Sequence, residues 1–121
     1  MANFTINGKE HELKLTYKGV KYLNGIVGGN ALDVVGQALQ GDLDLFPHVI
    51  SAALKYTEEN YTIDDVEKAI EQALEEERLD FLGIMKLSNE VIAESFFYKR
   101  IMTKMMAENK DAKKALDKLL K

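Results

Sequence analysis

The chain has 121 residues, 46% of them apolar, with five Phe, five Tyr, a net charge of −4 and no cysteine. That is one domain's length with enough apolar mass for a real core, and the missing thiols exclude disulfides, thiolate metal sites and cysteine nucleophiles together. No run approaches the roughly 18 apolar residues of a membrane span, and the start Met1-Ala2-Asn3-Phe4-Thr5 lacks the basic then apolar pattern of a secretory signal, so a cytoplasmic protein is expected.

The first element is a β-hairpin over about residues 3–15. Asn7-Gly8 supplies the two positive-φ residues of a type I′ turn between runs of alternating character, which turns Leu13 and Leu15 toward the core with Phe4 and Ile6. A lone hairpin is marginal in water and must lie on something else.

Helices follow over about 16–107. Thr16 caps the first, with Tyr17, Val20, Leu23 and Val27 at helical spacing and Gly28-Gly29-Asn30 as its stop. A short second helix, Ala31 to Gln40, buries Leu32, Val35 and Leu39 and ends at Gly41. The third begins after Asp42 or Asp44, carries Pro47 in its first turn, and buries Phe46, Val49, Ile50 and Ala53. Thr62 opens the next with Asp65 three residues on, a capping-box variant, and Ile63, Val66, Ala69, Ile70, Ala73 and Leu74 share its apolar face.

A long helix is then predicted from about Asp80 to Ala107. Ile84, Leu87, Val91, Tyr98, Met102 and Met105 form one stripe on it, while Phe96 falls on one flank and Phe97 with Ile101 on the other. One packed layer covers only the stripe, so this helix needs partners on more than one side. Ala112, Ala115, Leu116, Leu119 and Leu120 close the chain with a basic amphipathic segment, about 110–121. The predicted class is α+β, mostly α, in a single domain over 1–121: an N-terminal hairpin followed by a bundle of five or six helices.

Charge is polarised along the chain. Residues 58–80 carry ten acids against Lys68 and Arg78, and residues 99–121 carry eight bases against Glu108, Asp111 and Asp117. Two solvated helix faces of opposite sign account for this; the functional readings are head-to-tail attraction between subunits, acidic 58–80 of one against basic 99–121 of the next, or a basic tail for an acidic partner. A nucleic-acid-binding regulator is the alternative class, common among small helical proteins. It requires a basic face and aromatic residues interleaved with the lysines, and the tail has neither the charge nor the aromatics.

No residue is nominated for catalysis, a cofactor or a metal. His11 and His48 lack ligand spacing, consecutive Glu75-Glu76-Glu77 point about 100° apart on a helix and do not converge, and Gly25-Ile26-Val27-Gly28-Gly29 follows a helix without the Lys-Ser/Thr of a phosphate loop.

Ala2 to Glu10 leading into Leu13-Lys14-Leu15-Thr16-Tyr17-Lys18-Gly19-Val20-Lys21-Tyr22-Leu23-Asn24, then Gly41-Asp42-Leu43-Asp44, Tyr61-Thr62-Ile63-Asp64-Asp65-Val66 and Asn89-Glu90-Val91-Ile92-Ala93-Glu94-Ser95-Phe96-Phe97-Tyr98 together resemble the tail assembly chaperones of long, non-contractile-tailed phages and prophages of Gram-positive bacteria. The order of these segments with the Glu94-to-Tyr98 run carries the resemblance, over most of the chain. It implies a non-enzymatic role in the host cell cytoplasm. Such proteins bind the hydrophobic helical tape measure protein, keep it soluble, help recruit tail tube subunits and leave the mature virion. It also implies that this chain is the short form, with tail tube recruitment through a longer, frameshifted form; a homo-oligomer is expected from the charge pairing. A chaperone for an apolar helix needs a deformable apolar surface, and methionine provides one. Phe96, Phe97, Ile101, Met102, Met105 and Met106 are the expected partner-binding residues, with Ile84, Val91 and Tyr98 facing the chain's own helices.

Overall fold

The computed structural model describes residues 2–108, with the side chains of Met105, Met106 and Glu108 outside that description, as is the segment 110–121. A two-stranded antiparallel sheet, β1 (Asn3–Ile6) and β2 (Lys9–Glu12), precedes six helices: α1 (Tyr17–Val27), α2 (Ala31–Leu39), α3 (Phe46–Ala53), α4 (Ile63–Glu75), α5 (Phe81–Glu94) and α6 (Tyr98–Glu108).

The hairpin forms as its turn dictates. Asn7 and Gly8 both take positive φ, 52° and 75°, and Phe4 pairs with His11 across the strands. Phe4, Ile6 and Leu13 are buried, and Leu15 packs partly buried beside them. What supports this hairpin is the α3–α4 region. The Lys14 amide donates to the Ala53 carbonyl at 3.0 Å, Tyr56 donates its hydroxyl to the Glu12 carbonyl at 2.7 Å, and His11 and Tyr61 are hydrogen-bonded at 2.8 Å.

The helix starts obey the capping chemistry of the sequence. Thr16 accepts from the Gly19 amide, Thr62 and Asp65 form a reciprocal capping box, and Asp80 accepts from the Gly83 amide at 2.7 Å. Asn30 does more than end α1. Its side chain accepts from Leu32 and Asp33 while Asp33 accepts from the Asn30 amide, a second capping box that opens α2. Gly19 brings α1 against α3, because any Cβ there would collide with the Ala52 carbonyl.

One core runs through the helices. Val20, Leu23, Val34, Val35, Phe46, Val49, Ile50, Val66, Ile84, Val91, Ile92 and Tyr98 are all buried in it. The buried face of α2 is rotated from the expected one: Val34, Val35 and Ala38 are inside, whereas Leu32 is exposed. Tyr17 and Leu74, expected inside, also face solvent. Each sits at one edge of its apolar stripe, where the curvature of a small core leaves no neighbour to cover it.

The principal departure is the predicted long helix, which is two helices. The backbone of Ser95 is extended, with φ −70° and ψ 127°, and Phe96-Phe97 form a turn before α6. The Ser95 hydroxyl accepts from the amides of Phe97 and Tyr98, both at 3.3 Å, and its carbonyl accepts from the Lys99 amide at 3.0 Å. Ser95 is therefore an N-cap inside an apolar run. A serine oxygen satisfies amides that would be orphaned at a new helix start, which makes the interruption inexpensive.

Candidate protein-binding surface

The break at Ser95 separates three consecutive aromatics. Tyr98 turns inward and is fully buried; its hydroxyl donates to Asn24 Oδ1 at 2.9 Å and lies 3.5 Å from the Val20 carbonyl, tying the first turn of α6 to α1. Burial pushes the phenol pKa up to about 12. Phe97 stacks edge-on against Tyr98, with centroids 5.2 Å apart and ring planes at 86°, and is half exposed. Phe96 is 97% exposed. A helix that continued unbroken would have carried all three on a single spiral.

These rings face the start of α1 across an apolar groove. Leu15, Thr16, Tyr17, Val20, Phe96 and Phe97 line a cavity of about 280 Å³, and Tyr17 on the opposite wall is 78% exposed. The Lys21 ammonium lies 5.8 Å from the centre of the Tyr17 ring. Lys99 and Arg100 are exposed in the first turn of α6, three and four residues after Phe96. The groove is thus aromatic at its walls, with Lys21 beside one of them. Phe97 and Phe96 are brought together with three residues, Leu15, Tyr17 and Val20, that the sequence reading did not nominate. The signal for them was Thr16: a cap at that position starts α1 at Tyr17 and leaves its first turn without a preceding turn to cover it.

The remaining nominated residues divide. Ile101 is partly buried against the core. Met102 is 4% exposed and is a core residue, which corrects the expectation that it faces outward. It follows Tyr98 by four residues, so the contact that turns Tyr98 inward turns Met102 inward too. Met105 and Met106 lie on α6 with side chains outside the described part.

His48 is hydrogen-bonded to the Tyr22 hydroxyl at 2.8 Å, and the Tyr22 ring also carries the Lys55 ammonium 4.4 Å from its centre. Among the described residues no three His, Asp or Glu side chains converge as metal ligands, and no helix is long and apolar enough to cross a membrane.

Residues 3–108 match the family described as phage tail assembly chaperone protein, TAC. Comparison with curated proteins gave no match, and comparison with solved structures gave none either. The family match spans the hairpin, all six helices and the exposed aromatic groove, and the chain belongs to the phage tail assembly chaperone family.

Proposed function

We propose that the groove between α1 and α6 receives an apolar helical segment of the tape measure protein, and that by covering such segments the chain keeps that protein soluble while tail tube subunits are recruited. The recruitment step belongs to a longer, frameshifted form, and the chaperone acts in the host cytoplasm and leaves before the virion is complete. Family membership supports the chaperone role; the observation that carries the site is Phe96, almost wholly exposed at the mouth of an apolar cavity.

Magnitudes favour the aromatics as the source of affinity. Burying one Phe against a partner contributes about 1.5–3 kcal/mol, whereas an exposed ion pair contributes about 0.2–1 kcal/mol. Phe96, Phe97 and Tyr17 therefore set the strength of the contact, and Lys21, Lys99 and Arg100 orient it. Large aromatic rings on a short groove also suit helical apolar ligands of varied sequence, since they recognise shape and apolar surface and no particular side chain.

The test is co-expression with the tape measure protein, followed by solubility and pull-down measurements. The double variant Tyr17→Asp/Phe96→Asp removes two exposed rings, and Asp in the first turn of α1 is compatible with the helix. It is expected to leave circular dichroism and melting temperature nearly unchanged and to release the tape measure protein into the insoluble fraction. A double variant that still holds it soluble places the binding site elsewhere.

A further inference from the structure

A polar cavity of about 130 Å³ opens where α1, the end of α3 and the loop 54–61 meet, lined by Lys18, Ser51, Lys55, Thr57, Asn60 and Tyr61. It shares no residue with the groove between α1 and α6. Local packing builds it. Gly19 lets α1 lie directly on α3 at Ala52, which brings the adjacent Lys18 to the same cavity as Ser51 and Lys55. Tyr61 is fixed from the other side by the 2.8 Å hydrogen bond between its hydroxyl and His11 of the hairpin, and Asn60, at φ 53°, turns the loop beside it. Two of the polar groups are already used, since Thr57 donates its hydroxyl to the Leu54 carbonyl at 2.8 Å and the Tyr61 hydroxyl is held by His11. The others are not. Ser51 is 5% exposed and its hydroxyl, like the side-chain amide of Asn60, has no hydrogen-bond partner among the described residues, and neither Lys18 nor Lys55 is ion-paired with one. The Lys55 ammonium is placed by the face of the Tyr22 ring and keeps its full charge for another group. Of the two acids in the loop, Glu59 is bound to Lys9 at 2.8 Å and Glu58 is exposed.

We propose that this cavity binds a phosphate group, free or as a monoester. Buried polar groups are ordinarily hydrogen-bonded, and a buried unpartnered hydroxyl beside two unpaired ammonium groups calls for an acceptor that carries negative charge. An ammonium only donates, and a hydroxyl and a side-chain amide donate as well. Donors from Lys18, Ser51, Lys55 and Asn60 thus line one cavity from three segments of the chain. That is more than the two oxygens of a carboxylate use well, and it suits the several oxygens and higher charge of phosphate. The volume lies below the roughly 300–1,000 Å³ of a site that encloses a whole small molecule, so the phosphate group is held and any ester substituent stays in solvent. The cavity sits at the C-terminal end of α3, where the helix dipole is negative and repels an anion. The favourable charge must therefore come from Lys18 and Lys55. Neither the groove nor the tape measure protein enters into this site.

The experiment titrates the full chain with inorganic phosphate at constant ionic strength and follows backbone amide chemical shifts by NMR. Saturable shifts centred on Ser51, Lys55 and Asn60 are expected, with a dissociation constant of roughly 1 mM and a rise in melting temperature that chloride at the same ionic strength does not give. Lys18→Ala, at an exposed position, is expected to keep the fold and weaken binding about tenfold, the effect of one lost charge-assisted hydrogen bond, while Lys18→Arg retains most of it. Ser51→Ala should weaken binding by a smaller factor without lowering stability, because its hydroxyl gives up no partner in the free protein. Lys86→Ala, exposed on α5, controls for general loss of positive charge and should bind like wild type. Glycerol 2-phosphate that shifts the same amides extends the site to monoesters, and inorganic phosphate acting alone restricts it to the free ion; both outcomes support a phosphate site. Shifts that grow without saturating, acetate that binds as tightly as phosphate, or a Lys18→Ala chain that binds like wild type would each overturn the proposal.

Discussion

Phe96 and Tyr98 stand two residues apart in one aromatic run, and one is almost wholly in solvent while the other is fully buried. Both are large aromatic side chains, so hydrophobicity does not separate them. The separation comes from Ser95, whose extended backbone and capping hydroxyl restart the helix, and from Asn24, whose amide oxygen holds the Tyr98 hydroxyl. Tyr98 spends its surface on the fold; Phe96 leaves its surface in solvent. The pair shows how a short polar interruption in an apolar stretch sorts neighbouring residues between core and surface.

The largest test of that contrast is Tyr98→Ala. It removes a fully buried ring and both hydroxyl contacts, and is expected to cost roughly 3–5 kcal/mol of stability in urea denaturation. Ser95→Ala should cost about 1 kcal/mol, the usual value of a lost N-cap; a larger loss accompanied by gained helical circular dichroism would show α5 and α6 fusing. Tyr98→Phe removes only the hydroxyl and isolates its titration. The folded pKa of Tyr98, about 12, stands above its ordinary value of 10.0. Its contribution is therefore fully present below pH 10 and is lost as pH rises toward 12, because the unfolded chain releases the proton first. The fall in stability of the wild type across that alkaline window should be shallower in Tyr98→Phe. Phe96→Ala closes the series with a stability change within about 0.5 kcal/mol. If it destabilised the chain as much as Tyr98→Ala, the sorting of the two rings would be refuted.

Legibility in the sequence followed the range of the interaction. Asn7-Gly8, Thr16, Thr62 with Asp65, and Pro47 near the start of α3 act within a few residues, and each stands where its local chemistry put it. Phe96 and Phe97 were legible as surplus apolar surface. Met102 was not separable from them, because its burial depends on how α6 is turned, and a contact between Tyr98 and Asn24, 74 residues apart, sets that turn. Tyr17 was assigned to the core by spacing alone, and its exposure follows from the place of α1 at the rim of the bundle.

The sequence by itself determined the hairpin, most helix starts, the buried face of α3, most of that of α4 and the polarity of charge, since turns, caps and amphipathic spacing are properties of neighbouring residues. Only the tertiary structure decided that the long apolar run bends at Ser95, that Met102 belongs to the core, and that Phe96 and Tyr17 face each other across a groove. Periodicity is indifferent to a serine that serves equally as helix surface or as cap, and packing against α1 selects the second role because it buries Tyr98 with its hydroxyl satisfied.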